Sequence, residues 1–188
     1  MTDARRHARF DETNPRRHPG EGRMSRQSGG NAMRPESSPI SPEQETSLAK
    51  VLFNYVWSLL EKDGRTPEDD DEMLHAAHAS RFHWGRVGEP VNRARGEWQV
   101  SRVYAVLGRP EPARYHAGRC LSLCEHFDLS AFDYAAAHEA LARAAAVASD
   151  ARLCLRHVRR ARAWAEKIDD PKDREIIESD LGSIRNHE

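Results

Sequence analysis

Residues 94–127, ARGEWQVSRVYAVLGRPEPARYHAGRCLSLCEHF, constrain the fold more than any other stretch. Apolar and small residues recur there at helical spacing on both sides of Gly108-Arg109-Pro110. A glycine that can leave the helical region, followed by a proline suited to a first helical turn, joins two helices that fold back on each other. The spacing predicts one helix from the Gly88-Glu89-Pro90 break to Leu107 and another from Glu111 to about Phe127. A single helix pair cannot bury its own apolar faces, so the rest of the chain has to supply neighbours for it.

The remainder carries similar helical patterns. Ser41-Pro42-Glu43-Gln44 reads as an N-cap, a first-turn proline and a capping-box residue. The helix it opens has its apolar stripe at Leu48, Val51, Leu52, Tyr55, Val56, Leu59 and Leu60 and ends at Asp63-Gly64. A loop through Arg65-Thr66-Pro67-Glu68 and the acidic run Asp69–Glu72 precedes a second helix, from about Glu72 to Arg86. Acids before a helix suit the positive end of its dipole, which accounts for them without a calcium loop. Further helices are expected from about Phe132 to Val147, from Ala151 to about Ile168 and from Lys172 to about Ile184. No alternating apolar pattern or hairpin signal is present, so the expected class is all-α with about seven helices. Residues 1–40 hold Arg, Pro, Gly, Ser and Asn with almost no apolar groups and are expected to be a disordered tail ahead of a helical domain, 41–188. The expectation for that stretch is a solvated leader, or an upstream start codon with initiation at Met24 or Met33.

Laid over each other, the third and fourth helices match the fifth and sixth with a period near 41 residues: Ser101 with Ala142, Gly108 with Ser149, Ala113 with Cys154, Ala117 with Val158, Cys120 with Ala161. Mostly small residues recur where helices approach closely. Ser101, Tyr104, Gly108, Ala113, Ala117 and Cys120, with the weaker copy Ala142, Ala145, Ser149, Cys154, Val158 and Ala161, give a pattern that resembles the tetratricopeptide-repeat family. The family's first tryptophan and closing proline are missing, and the linker between units is longer than usual. The resemblance covers about residues 94–165 and implies stacked antiparallel helix pairs, with an atypical leading pair and a capping last helix.

The resemblance also implies a non-catalytic module whose inner face, lined by the first helix of each pair, takes a protein or peptide partner. Carried onto this chain, that face presents Arg95, Trp98 and Arg102, then Glu139 and Arg143. Independently of the family, positions 95, 98 and 102 share one helix face. Two guanidiniums flanking an indole suit an acidic or C-terminal group. The same residues also read as structure, with Trp98 in the core, both arginines paired, and Glu139–Arg143 an i,i+4 ion pair.

Other chemistry is thinly supported. His75 and His78 beside Glu72, with His138 and Glu139 on a later helix, form the alternative of a small metal-binding enzyme or sensor, because Glu-x-x-His motifs serve metals in helical bundles. No second such motif is present, and no cofactor is expected. Cys120 and Cys124 share a face with His116 one turn earlier, but cysteine at close-packing positions behaves as a small apolar residue. Phosphate-binding loops, dinucleotide fingerprints, nucleophile elbows and zinc-protease motifs are absent from the sequence. A formal net charge of −1 gives no whole-chain argument for a nucleic-acid or membrane partner. Three cysteines without metal-like spacing and the lack of an apolar leader suit the cytoplasm. Of 29 basic residues only Lys50, Lys62, Lys167 and Lys172 are lysines, a bias that fits a GC-rich bacterial gene. Two visible units bury less core than the three usually needed, which makes a homodimer a further expectation.

Overall fold

Proline and a capping side chain fix where most of the helices begin. The computed structural model describes residues 39–184, which form seven α-helices and, among the described residues, no strand. They are α1 (Pro42–Leu60), α2 (Pro67–Val87), α3 (Pro90–Val106), α4 (Pro110–Phe127), α5 (Ala131–Val147), α6 (Ala151–Ala165) and α7 (Pro171–Gly182). Five of them start on proline, whose missing N–H is no loss in a first turn. The predicted capping box forms at α1, where Ser41 Oγ accepts from Gln44 N and Gln44 Oε1 accepts from Ser41 N at 2.7 Å. The expectations for residues 1–38 lie outside the described residues.

Two boundaries differ from the sequence reading by three residues or more. Helix α2 starts at Pro67, five residues before the predicted Glu72, because Thr66 and Asp69 form a second capping box. The acidic run is therefore inside the first turns of the helix, where its charge opposes the positive helix end. Helix α6 also stops short of the expected Ile168, with its C-cap at Glu166.

Consecutive helices pack as the pairs α1–α2, α3–α4 and α5–α6, and α3 meets α5, which in turn meets α7. The repeat is visible in the backbone. Gly108, between α3 and α4, has φ +68°, and Ser149, its equivalent between α5 and α6, has φ +58°. Arg109 N donates to Tyr104 O at 2.9 Å and Asp150 N donates to Ala145 O at 2.9 Å, the same bond one period later. The small residues of the period are buried as expected: Ser101, Ala113, Ala117, Cys120, Ala142, Cys154 and Ala161. The central core joins Phe53 and Trp57 of α1 to Trp98 of α3, Phe132 and the alanines of α5, and Ile177 and Leu181 of α7. Trp57 and Trp98 lie 5.4 Å apart, and Phe132 meets Trp98 edge-on at 6.4 Å. A second cluster, built from Val56, Met73, Ala77, Val100 and Val103, fixes the leading pair against α3. No helix among the described residues is long and apolar enough to cross a membrane.

Candidate functional site

Helix α1 touches α3, α3 packs on α5 and α5 on α7. Four of the five residues singled out from the sequence, Trp98, Arg102, Glu139 and Arg143, come together between these helices, and the fifth, Arg95, does not join them. The small buried alanines of α5 at 135, 136, 137 and 140 share a cluster with Trp98 and leave space there for larger neighbours, while Ala142 packs with Cys154 and Ala144 with Ala105 and Ala113. Into that space α3 sends Trp98 and Arg102, and α5 supplies Glu139 as their acceptor. Trp98 Nε1 donates to Glu139 Oε2 at 3.3 Å, Arg102 Nη2 donates to Glu139 Oε1 at 3.1 Å, and Arg143 Nε donates to the same Oε1 at 2.7 Å. Helix α7 closes the arrangement. Asp180 pairs with Arg102 Nη2 at 2.9 Å, and Arg143 Nη2 donates to the Asp180 carbonyl at 2.9 Å and to Ser183 Oγ at 2.8 Å. From α1, the Trp57 ring lies under the Arg102 guanidinium at 5.9 Å.

Burial grades these residues. Glu139 is 0% exposed, Trp98 2% and Arg102 8%, whereas the side chains of Arg143 and Arg95 are 14% and 34% exposed. Burial works against the charge of Arg102, but the carboxylates of Glu139 and Asp180 overcome it and raise its pKa. Arg95 stands apart from this network and pairs with the buried Asp133 at 2.9 Å, its guanidinium over the Phe132 ring. Trp98 is thus a core residue and Glu139–Arg143 an i,i+4 pair at 2.6 Å, while Arg95 and Arg143 keep a share of solvent.

Two further buried carboxylates escaped the sequence reading. Glu97 Oε1 accepts from Arg81 Nε at 2.9 Å and from Arg119 Nε at 2.8 Å, and its Oε2 meets His116 Nδ1 at 2.6 Å. Burial pushes the Glu97 carboxyl up, but the His116 and Arg119 hydrogen bonds and the Arg81 charge outweigh it and hold it at about 2. Glu45 of α1 likewise takes His83 and Arg86 of α2. The one local signal is Gly96: a Cβ there would lie 2.7 Å from Arg81 Cδ, so glycine lets Arg81 cross α3 to Glu97.

The alternative histidine set is not brought together. His75 and His78 are on α2 and His138 and Glu139 on α5, two helices that do not touch. His75 approaches Asp71 at 3.6 Å. His78 Nε2 meets Tyr104 OH at 2.8 Å, beside His116. His138 Nδ1 faces His157 Nδ1 at 3.3 Å, and burial, then His157 and Arg160, lower its pKa to about 4. Among the described residues no group of three or more His, Cys, Asp or Glu is placed to hold a metal ion. Cys120, Cys124 and Cys154 are buried thiols, and the hydrogen bond to Cys124, with burial, raises the Cys120 pKa well above its ordinary value.

Comparison with protein-family models, with curated proteins and with solved structures finds no match to this chain.

Proposed function

We propose that this chain is a non-catalytic binding protein that holds a segment of a partner protein on the inner face of its helix pairs, beside Arg95, Arg102 and Arg143. The observation that carries this reading is the unfinished bonding of Arg102. Its Nη2 serves Glu139 and Asp180, while its buried Nε has no acceptor among the described residues. A buried donor left without a partner is unfavourable, and a carboxylate arriving over Trp57 and Trp98 would complete it. Arg95 and Arg143 at the edge of the network are the groups such a segment meets first. Glu139 and Trp98 act behind them by fixing where the guanidiniums point.

The test is affinity capture with the full chain beside an Arg95→Ala, Arg143→Lys variant, with melting curves recorded for both. The reading expects a partner protein held by the native chain and lost from a variant that is less stable but still fully folded at the capture temperature. Equal capture by both forms would overturn it. A second copy of the chain is favoured as an additional partner by Leu48, Val51 and Tyr55, which stand exposed along one face of α1. Sedimentation across a concentration range, with Val51→Asp as the variant, tests that.

A further inference from the structure

The outer face of α6 carries charge that neither the inner network nor the partner reading uses. In ARLCLRHVRRARAWA there are five arginines and no acid. Arg152, Arg156, Arg159, Arg160 and Arg162 are all exposed, and none has an ion-pair partner among the described residues. At 100° per residue they fan over about 160° of the helix, along roughly 15 Å of its axis. The opposite face, with Cys154, His157, Ala161 and Ala165, is already buried against the body of the protein. Like charges held this close repel one another, and an arriving polyanion would relieve that repulsion.

The flank of the same helix adds an aromatic surface. Trp164, one turn beyond Arg160, stacks on Tyr134 with ring centroids 4.2 Å apart and planes 11° from parallel. The Lys167 ammonium lies 4.0 Å from the Trp164 ring centroid. A row of cations beside a half-buried indole is the combination that tracks a phosphate backbone while a base stacks on the ring. An anionic membrane suits it less, because the apolar side of α6 is spent on packing and Leu155 is the one large apolar residue exposed on this helix. An acidic protein would use the arginines and leave the indole idle.

We infer that the α6 face formed by Arg152, Arg156, Arg159 and Arg160, with Trp164 at its edge, binds single-stranded nucleic acid through its phosphates, with a base taking the place of Lys167 on the indole. The near-neutral chain total hides this site, because the acids that balance α6 lie outside its five-arginine run, with only the caps Asp150 and Glu166 at its ends.

Fluorescence anisotropy of a labelled oligothymidylate, titrated with the full chain over a range of salt concentrations, tests it. The expected log–log salt slope is about −3, the value for roughly four phosphates on a single strand. Arg156→Glu, Arg159→Glu should weaken binding at least about tenfold at low salt, and Arg114→Glu on α4 should leave it unchanged. Trp164→Ala should weaken oligothymidylate binding about fivefold or more and leave inorganic polyphosphate binding unchanged, since only the former has bases to stack. No binding at low salt would overturn the inference, as would equal affinity of the native chain and the α6 double variant. Polyglutamate binding as tightly as oligothymidylate would assign the face to an acidic protein instead. Circular dichroism of each variant separates these outcomes from misfolding.

Discussion

Arginine does two different jobs on the two sides of α5. On the inner side Arg102 and Arg143 lie almost out of water, each donating to Glu139, with α7 closed over them through Asp180 and Ser183. On the other side α6 holds five arginines in water with no ion-pair partner among the described residues. Removing a partner from a buried pair strands the remaining charge, whereas removing an exposed arginine relieves repulsion. The inner set therefore bears on whether the chain folds, and the outer set on what approaches it.

The largest expected effect comes from the inner acceptor. Glu139→Ala leaves Arg102 and Arg143 partly uncompensated and should cost about 3–5 kcal/mol in urea unfolding, a fall of roughly 10 °C in Tm. A loss below about 1 kcal/mol would mean that water reaches this network and that the contrast with α6 is one of degree.

Acid should erode the buried set and spare α6. His138 has a pKa of about 4 when folded and about 6.5 when unfolded, so the unfolded chain takes up the proton first. Its contribution is complete above pH 6.5 and is lost as pH falls from 6.5 to 4. Glu97, at about 2 when folded against 4.5 when unfolded, contributes fully above pH 4.5 and loses that contribution as pH falls from 4.5 to 2. Each loss is bounded at about 3.5 kcal/mol, from about 1.4 kcal/mol per pH unit. Urea midpoints measured from pH 7 to 3 should decline in both windows, and His138→Gln should flatten the upper one.

Gly96→Ala should cost about 1–2 kcal/mol, since the added methyl meets Arg81 Cδ at 2.7 Å while Arg81 Nε is tied to Glu97. Ser149→Gly should stabilise the protein by about 0.5–1 kcal/mol, because a left-handed φ of +58° is strained for serine and free for glycine. A neutral Ser149→Gly would mean that the turn, and not the residue, sets that conformation.

The sequence disclosed what depends on near neighbours. Caps, prolines and turn residues gave seven helices, and the 41-residue spacing gave the equivalence of Gly108 and Ser149 that the backbone repeats. Long side-chain reach was not legible. Glu139 was placed on the face of Trp98 and Arg102, but its depth depends on α7, whose Asp180 lies 41 residues further along. The Glu45–His83–Arg86 and Glu97–Arg81–His116–Arg119 groups join residues that no helical periodicity relates. Gly96, in the middle of a helix where glycine is unfavourable, was the one readable sign of the second group. The α6 arginines were in plain view in the sequence, but the chain's net charge of −1 averaged them away.

The smallest stability effect is the one that sharpens the comparison most. Arg156→Ala with Arg159→Ala removes two exposed charges that have no ion-pair partner among the described residues. Exposed substitutions away from caps and pairs generally stay within about 0.5 kcal/mol. Alanine also has the better helix propensity, and less like charge remains on one face, so any change should be a gain. Burial first, then Arg156 and Arg160, lower the pKa of His157, so that imidazole is neutral near pH 7 and losing Arg156 leaves its contribution there unchanged. Matched urea unfolding curves for the native chain and the double variant should overlay or shift upward. A loss of more than about 1 kcal/mol would show that these arginines serve the fold as Arg102 and Arg143 do. An unchanged midpoint leaves an uncompensated cationic face with no structural reason to exist.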